Sequence, residues 1–381
     1  MTRGNGQACH RGENPSSKPR RLWSIVLAGG EGERTRAFIE GWLGYHKPKQ
    51  YCTFVGTRSL LQHTMDRADA LSRPEQRVVV AAARHRPFLP DQMRGREKGL
   101  LLFQPSNRGT AAGVFLGLTY ILAKDPDAIV VVYPADHFIH PEGVFLDTVR
   151  QAVRVCEGID EAVLLGVRPS AVDSDFGWIV PASGWPTCQA VWPVKRFAEK
   201  PTQAMAARAR AQGGLWNTFI VASKLKTLWS LGWRHVPDIM PYFVELWDAL
   251  RESQDRVCLE QIYRNLPSRD FSAHVLQRAA RRLAVLKMKN VYWSDWGRPE
   301  RILETLCGMG TRPSFSEHLA LSAPRANNVS PLERSSQNDG SSQGRSPLLA
   351  GEAGHPEERE IPEDEGFPGT EAGGADSEAR L

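Results

Sequence analysis

Five short apolar runs punctuate the first half of the chain, at residues 22–27, 77–82, 100–103, 129–133 and 162–167. Runs of this length are typical of strands that are buried in a sheet. Helix-like stretches fall between them at residues 59–71, 110–124 and 142–156. Strands that alternate with helices predict an α/β fold, with a Rossmann-like three-layer αβα architecture and a mostly parallel sheet.

The two ends of the chain lack this pattern. Both are rich in Gly, Ser, Pro and charged residues, and neither contains enough apolar side chains to build a core. We therefore expect three regions: a disordered basic tail over residues 1–21, one folded domain over residues 22–310, and a disordered low-complexity tail over residues 311–381.

Composition narrows the class of protein. A hydrophobic content of 41% and a charged content of 24% fit a globular protein, and the net charge of +5 suits anionic small molecules. No basic stripe with interleaved aromatics and no run of about 18 apolar residues occurs, so neither nucleic acid nor a membrane is an expected partner. The six cysteines form no C-x-x-C pair and no apolar leader is present, which predicts a cytoplasmic location.

The chemistry is expected where the strands end, because ligands of α/β sheets bind beyond the carboxyl ends of the strands. The first run breaks into a glycine-rich loop, residues 29–32, whose backbone N–H groups can approach a phosphate closely. Gln104 ends the third run and offers a donor and an acceptor to a base edge. Asp136 follows the fourth run, where a carboxylate suits Mg²⁺ and equally suits a turn or helix cap. Asp295, between two tryptophans, is a second metal candidate or a turn residue.

Seven segments in fixed order then carry a resemblance. They are LAGGEGER (27–34), KPKQY (47–51), QPSNRGTA (104–111), PADH (134–137), EKP (199–201), LWNT (215–218) and SDWG (294–297). A generic α/β core does not require these segments jointly. From about residue 22 to residue 306 the chain resembles the nucleotide-sugar pyrophosphorylases, and among them the mannose-1-phosphate guanylyltransferases.

The resemblance implies a GT-A-like nucleotidyltransferase fold that uses Mg²⁺. It also implies GTP and a hexose 1-phosphate as binding partners, with mannose 1-phosphate preferred, and a homo-oligomer stays open. The products would be a GDP-sugar and pyrophosphate. The residue roles that it implies are catalytic for Arg34, Lys49 and Asp136; nucleotide-binding for Leu27, Ala28, Gly29, Gly30, Gly32, Gln104, Asn107, Gly109 and Thr110; sugar-phosphate-binding for Gly177, Glu199, Lys200 and Asn217; and metal-binding for Asp136 and Asp295.

Two departures from the family pattern leave alternatives open. Residues 35–37 (TRA) stand where the family has Leu-x-Pro, so Arg36 is either a second phosphate contact or a solvated side chain. Residues 217–219 (NTF) replace the usual Asn-Ser-Gly or Asn-Ala-Gly, which leaves the sugar open.

Two other functions also remain. One is a cytidylyltransferase, whose glycine loop is similar, and the other is a non-catalytic sensor of nucleotide sugars. The presence of Lys49, Asp136 and Asp295 together favours an enzyme.

Overall fold

A computed structural model describes residues 21–182, 191–252 and 259–316. The chain divides into two units, residues 1–326 and 327–381, and every described residue belongs to the first. Most of the two predicted tails therefore lies outside the described residues. Within the three described ranges, no helix is long and apolar enough to cross a membrane.

The strands alternate with helices over most of the described chain. The strands are β1 (Leu22–Ala28), β2 (Arg77–Ala82), β3 (Leu100–Gln104), β4 (Ile129–Pro134), β5 (Phe138–His140), β6 (Ala162–Val167), β7 (Trp178–Pro181), β8 (Val191–Ala198), β9 (Leu215–Lys224), β10 (Leu283–Met288) and β11 (Tyr292–Ser294). The helices are α1 (Arg36–Leu43), α2 (Leu60–Leu71), α3 (Leu89–Met93), α4 (Gly109–Leu122), α5 (Glu142–Gly158), α6 (Gln203–Ala211), α7 (Leu225–His235), α8 (Met240–Arg251), α9 (Leu259–Asn265) and α10 (Pro299–Gly308).

The central sheet is mixed, which corrects the prediction of a mostly parallel one. Its nine strands are ordered β3-β2-β1-β4-β9-β6-β10-β8-β7. The strands β3, β2, β1 and β4 run parallel, as do β6 and β10. Strand β9 lies antiparallel between β4 and β6, and β7 and β8 are antiparallel to their neighbours. Strand β9 is mostly buried, so its sequence is largely apolar. Such a sequence does not indicate whether the strand runs parallel or antiparallel to its neighbours.

Helices cover both faces of the sheet, and the predicted three-layer αβα arrangement is confirmed. Side chains alternate across β1, since successive residues of a strand point to opposite faces. Ile25 packs into a core with α4, α7 and α8, whereas Val26 packs into a second core with α2 and α5. The two apolar layers hold the carboxyl ends of β1 and β4 rigidly in place.

A third, smaller core lies beside the sheet and includes the C-terminal end of the described chain. Phe315 is only 7% exposed, and its ring lies edge-on to Phe38 of α1, with the ring centroids 5.0 Å apart. Phe54 and Trp296 also belong to this core. Phe315, which the sequence assigns to the C-terminal tail, therefore packs against the domain.

The strand order places the sequence motifs at one edge. The chain leaves β1 toward β2 on one side and β4 lies on the other, so a crevice forms between their carboxyl ends. In register, Leu27 lies opposite Pro134, and Ala82 of β2 lies opposite Gln104 of β3. The glycine-rich loop, Gln104 and Asp136 thus meet at the same edge.

Candidate active site

A cleft of about 380 Å³ opens at the carboxyl ends of β1, β3 and β4. The predicted residues that line it are Leu27, Gly29, Gly30, Gln104, Asn107, Gly109, Thr110 and Asp136. Sequence reasoning did not single out three further lining residues, Gln50, Phe219 and Asp270.

The turn at Lys49–Tyr51, which follows α1, contacts the glycine-rich loop. The Gln50 side-chain amide donates to the carbonyl oxygens of Ala28 (2.9 Å) and Gly30 (2.8 Å). Gly32 has a φ of +66°, and a Cβ there would lie 3.2 Å from the backbone nitrogen of Lys49. The positive φ and the close approach of Lys49 together favour glycine at this position. Gln50 lies within a segment that carried the resemblance, which was the available signal.

Lys49 joins the two predicted metal-binding aspartates. Its side chain is buried, with Nζ 2.9 Å from Oδ2 of Asp136, and it also donates to the carbonyl oxygen of Asp295. Burial acts to raise the pKa of Asp136, but the charge of Lys49, its hydrogen bond to the carboxyl group and a contribution from His137 together outweigh burial. The pKa is lowered, so Asp136 is a carboxylate. The pairing of β5 with β11 sets Ser294 opposite Phe138, which brings both aspartates to one place.

Asp295 is paired with two arginines. Its Oδ2 lies 3.2 Å from Arg34 and its Oδ1 lies 2.7 Å from Arg301. Although burial opposes ionisation, the charges of Lys49, Arg301 and Arg34 lower the pKa of Asp295 well below its ordinary value. Arg34 also lies 3.5 Å from Asp175. Arg34, which the resemblance implies to be catalytic, thus pairs with carboxylates. Arg301 was missed although it lies only six residues after Asp295, because it stands outside the segment of residues 294–297 that carried the resemblance.

The donor chemistry of the two aspartates fits Mg²⁺. In the part of the chain that the structure describes, no three His, Cys, Asp or Glu side chains gather as a complete metal site. Mg²⁺ usually takes one or two protein carboxylates, with water and substrate phosphates supplying the other oxygens. Asp136 and Asp295 match that requirement for a site that is completed by a phosphate ligand.

His137 supports this site from the side. Trp293 Nε1 donates to its Nδ1 at 3.3 Å, which assigns the proton of a neutral ring to Nε2, 3.7 Å from Oδ1 of Asp136. Burial lowers the pKa of His137, so the neutral ring is favoured. This placement fits the supporting or packing role that a lone histidine suggests.

The candidate base-binding end is shaped by close backbone packing. A Cβ on Gly29 would lie 2.8 Å from Nε2 of Gln104, so glycine lets the amide lie beside the loop. The hydroxyl of Tyr263 donates to Oε1 of Gln104 at 3.3 Å. Asn107 Oδ1 accepts from the backbone N–H of Gly109 at 2.9 Å and orders the start of α4.

A segment after α9 closes this end of the cleft. Thr110 donates its hydroxyl to Asp270 at 3.0 Å and accepts from the backbone N–H of Phe271 at 2.7 Å. Ala111 N donates to the carbonyl oxygen of Arg269 at 3.0 Å. Asp270 gave no local signal in the sequence, because its position depends on a contact across 160 residues.

Three of the four predicted sugar-phosphate residues meet. Asn217 N donates to the carbonyl oxygen of Gly177 at 2.8 Å, and a Cβ on Gly177 would lie 2.6 Å from Oε2 of Glu199. Burial, together with the charge of Asp270, raises the pKa of Glu199 to about 7. Lys200 is exposed at a φ of +42° and acts on Glu199 through its charge, which opposes that rise.

Arg36, left open by the sequence, pairs with a neighbouring side chain. It lies 2.9 Å from Oε1 of Glu33, in an exposed i,i+3 ion pair at the start of α1. Among the described residues that line the cleft, Arg36 is absent. The structure thus places it as a surface side chain.

Comparisons with known proteins identify the family of the chain. The chain is 26% identical over 281 residues to a mannose-1-phosphate guanylyltransferase of Escherichia coli, covering 72% of this chain and 58% of the relative. It is 26% identical over 284 residues to the xanthan biosynthesis protein XanB of Xanthomonas campestris pv. campestris, covering 74% and 58%. The chain therefore spans less than two thirds of the length of these relatives.

A similar solved structure is the protein from Thermus thermophilus described as a mannose-1-phosphate geranyltransferase. It matches with a TM-score of 0.63 and 25% identity, over 74% of this chain and 79% of that one. The model of the family described as Nucleotidyl transferase matches residues 23–310. The resemblance carried by the seven segments is thereby confirmed at the family level, and the chain belongs to the nucleotidyl transferase family.

Proposed function

We propose that this protein transfers a nucleotidyl group from GTP to a hexose 1-phosphate, preferably mannose 1-phosphate, and releases pyrophosphate. The observation that carries the proposal is the position of Lys49. Its Nζ lies 2.9 Å from Asp136 and contacts the backbone of Asp295, at a cleft bordered by the glycine-rich loop and Gln104. A cation and two carboxylates thus stand where the phosphates of two substrates would meet.

The reaction needs positioned charge rather than a protein nucleophile. An oxygen of the sugar phosphate attacks the α-phosphorus of the nucleotide, a new P–O bond forms, and the bond to pyrophosphate breaks on the opposite side. Two phosphate groups repel each other strongly outside bulk water. Lys49, Arg34 and the loop N–H groups would hold the reactants in line and offset the charge that develops at phosphorus.

Asp136 and Asp295 would hold Mg²⁺, which when bound offsets phosphate charge. The protein's own contribution is to keep both carboxylates ionised. Lys49 pairs with the carboxylate of Asp136 and donates to the backbone carbonyl oxygen of Asp295, so it links the two residues. His137 contributes as a neutral ring beside Asp136, since Trp293 holds its Nδ1.

The choice of substrates rests on separate support. Gln104 offers a donor and an acceptor to a base edge, and Tyr263 fixes its orientation. Glu199 and Asn217 offer acceptors and donors to sugar hydroxyls beside Gly177. The names of the relatives favour guanine and mannose among the bases and sugars that such groups can bind.

The test is pyrophosphate release with each of the four NTPs against a panel of hexose 1-phosphates, with and without Mg²⁺. We expect release with GTP and mannose 1-phosphate to exceed every other pair and to require the metal. Release with CTP instead would favour the cytidylyltransferase alternative. GTP binding without release from any pair would contradict catalysis and revive the sensor alternative.

A further inference from the structure

Six charged side chains form a network of ion pairs that includes Asp295, and we call them the Asp295 cluster. Three carboxylates are balanced by three guanidinium groups within ion-pair distance. The members are Asp173, Asp175, Asp295, Arg34, Arg298 and Arg301.

The two oxygens of Asp295 have different partners. Oδ1 lies 2.7 Å from Arg301 and accepts from the backbone N–H of Gly297 at 3.0 Å. Oδ2 lies 3.2 Å from Arg34. The Arg301 side chain is 14% exposed whereas that of Arg34 is 46% exposed. Oδ1 is thus held from inside the protein, and Oδ2 is held by a side chain that faces solvent.

Arg301 is itself fixed on three sides. Its guanidinium lies 2.6 Å from Asp173 and 3.2 Å from Asp175, and it stacks 4.3 Å above the ring of Phe176. The next residue, Gly177, belongs to the candidate sugar pocket. Arg301 therefore ties the loop of residues 173–177 to the aspartate that would hold the metal.

Arg34 is the member of the cluster that a triphosphate would attract. A guanidinium binds phosphate oxygens in a bidentate manner, and a triphosphate carries more charge than a carboxylate. When Arg34 turns toward phosphates, Oδ2 of Asp295 loses its partner while Oδ1 keeps Arg301. The released oxygen is the one available to a divalent cation.

We propose that Arg301 is a positioning residue, which holds Asp295 through Oδ1 so that Oδ2 passes from Arg34 to the divalent cation when the nucleotide binds. This inference rests on the metal site of the proposed function. It predicts that Arg34 and Arg301 affect cation binding in opposite directions, because Arg34 competes with the cation and Arg301 orients its ligand.

Binding of Mn²⁺ alone to the nucleotide-free full chain, followed by electron paramagnetic resonance, tests the proposal. Arg34→Ala should bind Mn²⁺ several-fold more tightly than the original chain, because the competitor is gone. Adding Arg301→Gln should weaken binding again by about 10–100-fold, the usual effect of losing a partner that orients a metal ligand. Adding Arg298→Gln instead should change little, since Arg298 pairs with Asp173 and Asp175 but not with Asp295.

Arg301→Lys serves as a second variant, because it keeps the positive charge at this position. Thermal unfolding of each variant shows whether it is still folded. Arg301→Lys should weaken Mn²⁺ binding by an intermediate amount, since one ammonium cannot reach both Asp295 and Asp173 in the same manner. Equal Mn²⁺ affinity in the Arg34→Ala variant with and without a change at Arg301 would overturn the inference.

Failure of the proposed function is distinguishable. A chain that shows the predicted Mn²⁺ pattern without releasing pyrophosphate contradicts the reaction alone. If the chain releases pyrophosphate but substitution of Arg301 does not change its Mn²⁺ affinity, only the positioning role is contradicted.

Discussion

The pairing of Lys49 with Asp136 sets the charges in the cleft. Lys49 is buried with its Nζ 2.9 Å from Asp136, an arrangement that keeps a carboxylate ionised in a confined site. A buried lysine without this partner would be expensive to desolvate. Lys49 and Asp136 therefore act as a unit, and the loss of either charge is expected to lower both catalysis and stability.

Asp136→Asn should lower kcat by about two to three powers of ten, because the amide cannot supply the charge that holds a cation at the phosphates. The amide has nearly the same shape, so the far-ultraviolet circular dichroism spectrum should stay unchanged. Steady-state pyrophosphate release measures the effect, with Asp127→Asn, a surface carboxylate paired with Lys226, as the control. Near-normal turnover of Asp136→Asn would contradict the assignment.

Glu199 predicts a pH dependence of sugar-phosphate binding. Its pKa is raised to about 7, so the side chain is largely neutral at pH 6 and ionised at pH 8. The carboxylate accepts hydrogen bonds from hydroxyls better than the acid does, so KM for the hexose 1-phosphate should fall as pH rises through 7. Glu199→Gln should lack this component while keeping the dependence that the substrate phosphate itself causes. If KM depends on pH in the same way in Glu199→Gln and in the original chain, the role of Glu199 in sugar-phosphate binding is refuted.

The same shift has the opposite sign for stability. A carboxyl group with a raised pKa binds protons more tightly in the folded state than in the unfolded state. The contribution of Glu199 to the free energy of unfolding therefore falls as the pH rises from about 4.5 to about 7. Thermal unfolding of Glu199→Gln, compared with the original chain over that interval, should show this fall removed.

Some strands of the sheet can be predicted from the sequence, whereas the direction of others cannot. Strands β1 to β4 and β6 each contain an apolar run that ends at turn residues, and their positions match the runs predicted from the sequence to within one residue. Strand β9, in contrast, includes Asn217 and Thr218 and pairs antiparallel with three strands, β4, β6 and β7. Its direction follows from pairing partners that local periodicity does not encode. The site shares this limit, since Asp270 reaches it through a contact with Thr110, 160 residues away in sequence.

Gly109 tests whether the start of α4 depends on close packing. It has a φ of +77°, and a Cβ there would overlap the carbonyl oxygen of Arg269. Gly109→Ala should destabilise the protein by about 2 kcal/mol or more, from the unfavourable φ and the backbone displacement together. Gly143→Ala is the matched control, since a Cβ meets nothing there and the residue lies in α5. Urea unfolding that finds the two variants equally stable would contradict the packing role.

At the scale of the whole domain, the residues proposed to bind the two substrates lie at a single edge of one mixed sheet. The parallel strands carry the glycine-rich loop, Gln104 and Asp136, while the antiparallel β9 carries Asn217. The small pair of β5 and β11 then delivers Asp295 to Asp136. The residues proposed to bind the nucleotide and the sugar phosphate therefore come from segments that are far apart in the sequence and meet only in the folded domain.

The small core at Phe315 joins the end of the described chain to α1 and to Trp296, the neighbour of Asp295. Phe315→Ala should lower the free energy of unfolding by about 3 kcal/mol, the usual loss for a buried aromatic ring. Phe315→Leu, which fills more of the space, should cost less than about 1.5 kcal/mol. Chemical unfolding measures both, and an alanine variant as stable as the original chain would show that this segment does not contribute to the domain.

Transfer of a labelled phosphate tests the central claim most directly. GTP labelled at the α-phosphate is incubated with mannose 1-phosphate, Mg²⁺ and the full chain, and the products are separated. We predict that the label moves into a GDP-sugar with an equal amount of pyrophosphate, and that it stays in GTP when mannose 1-phosphate is omitted. Label that remains in GTP under all conditions, or that appears in free GDP or GMP, would contradict nucleotidyl transfer at this site.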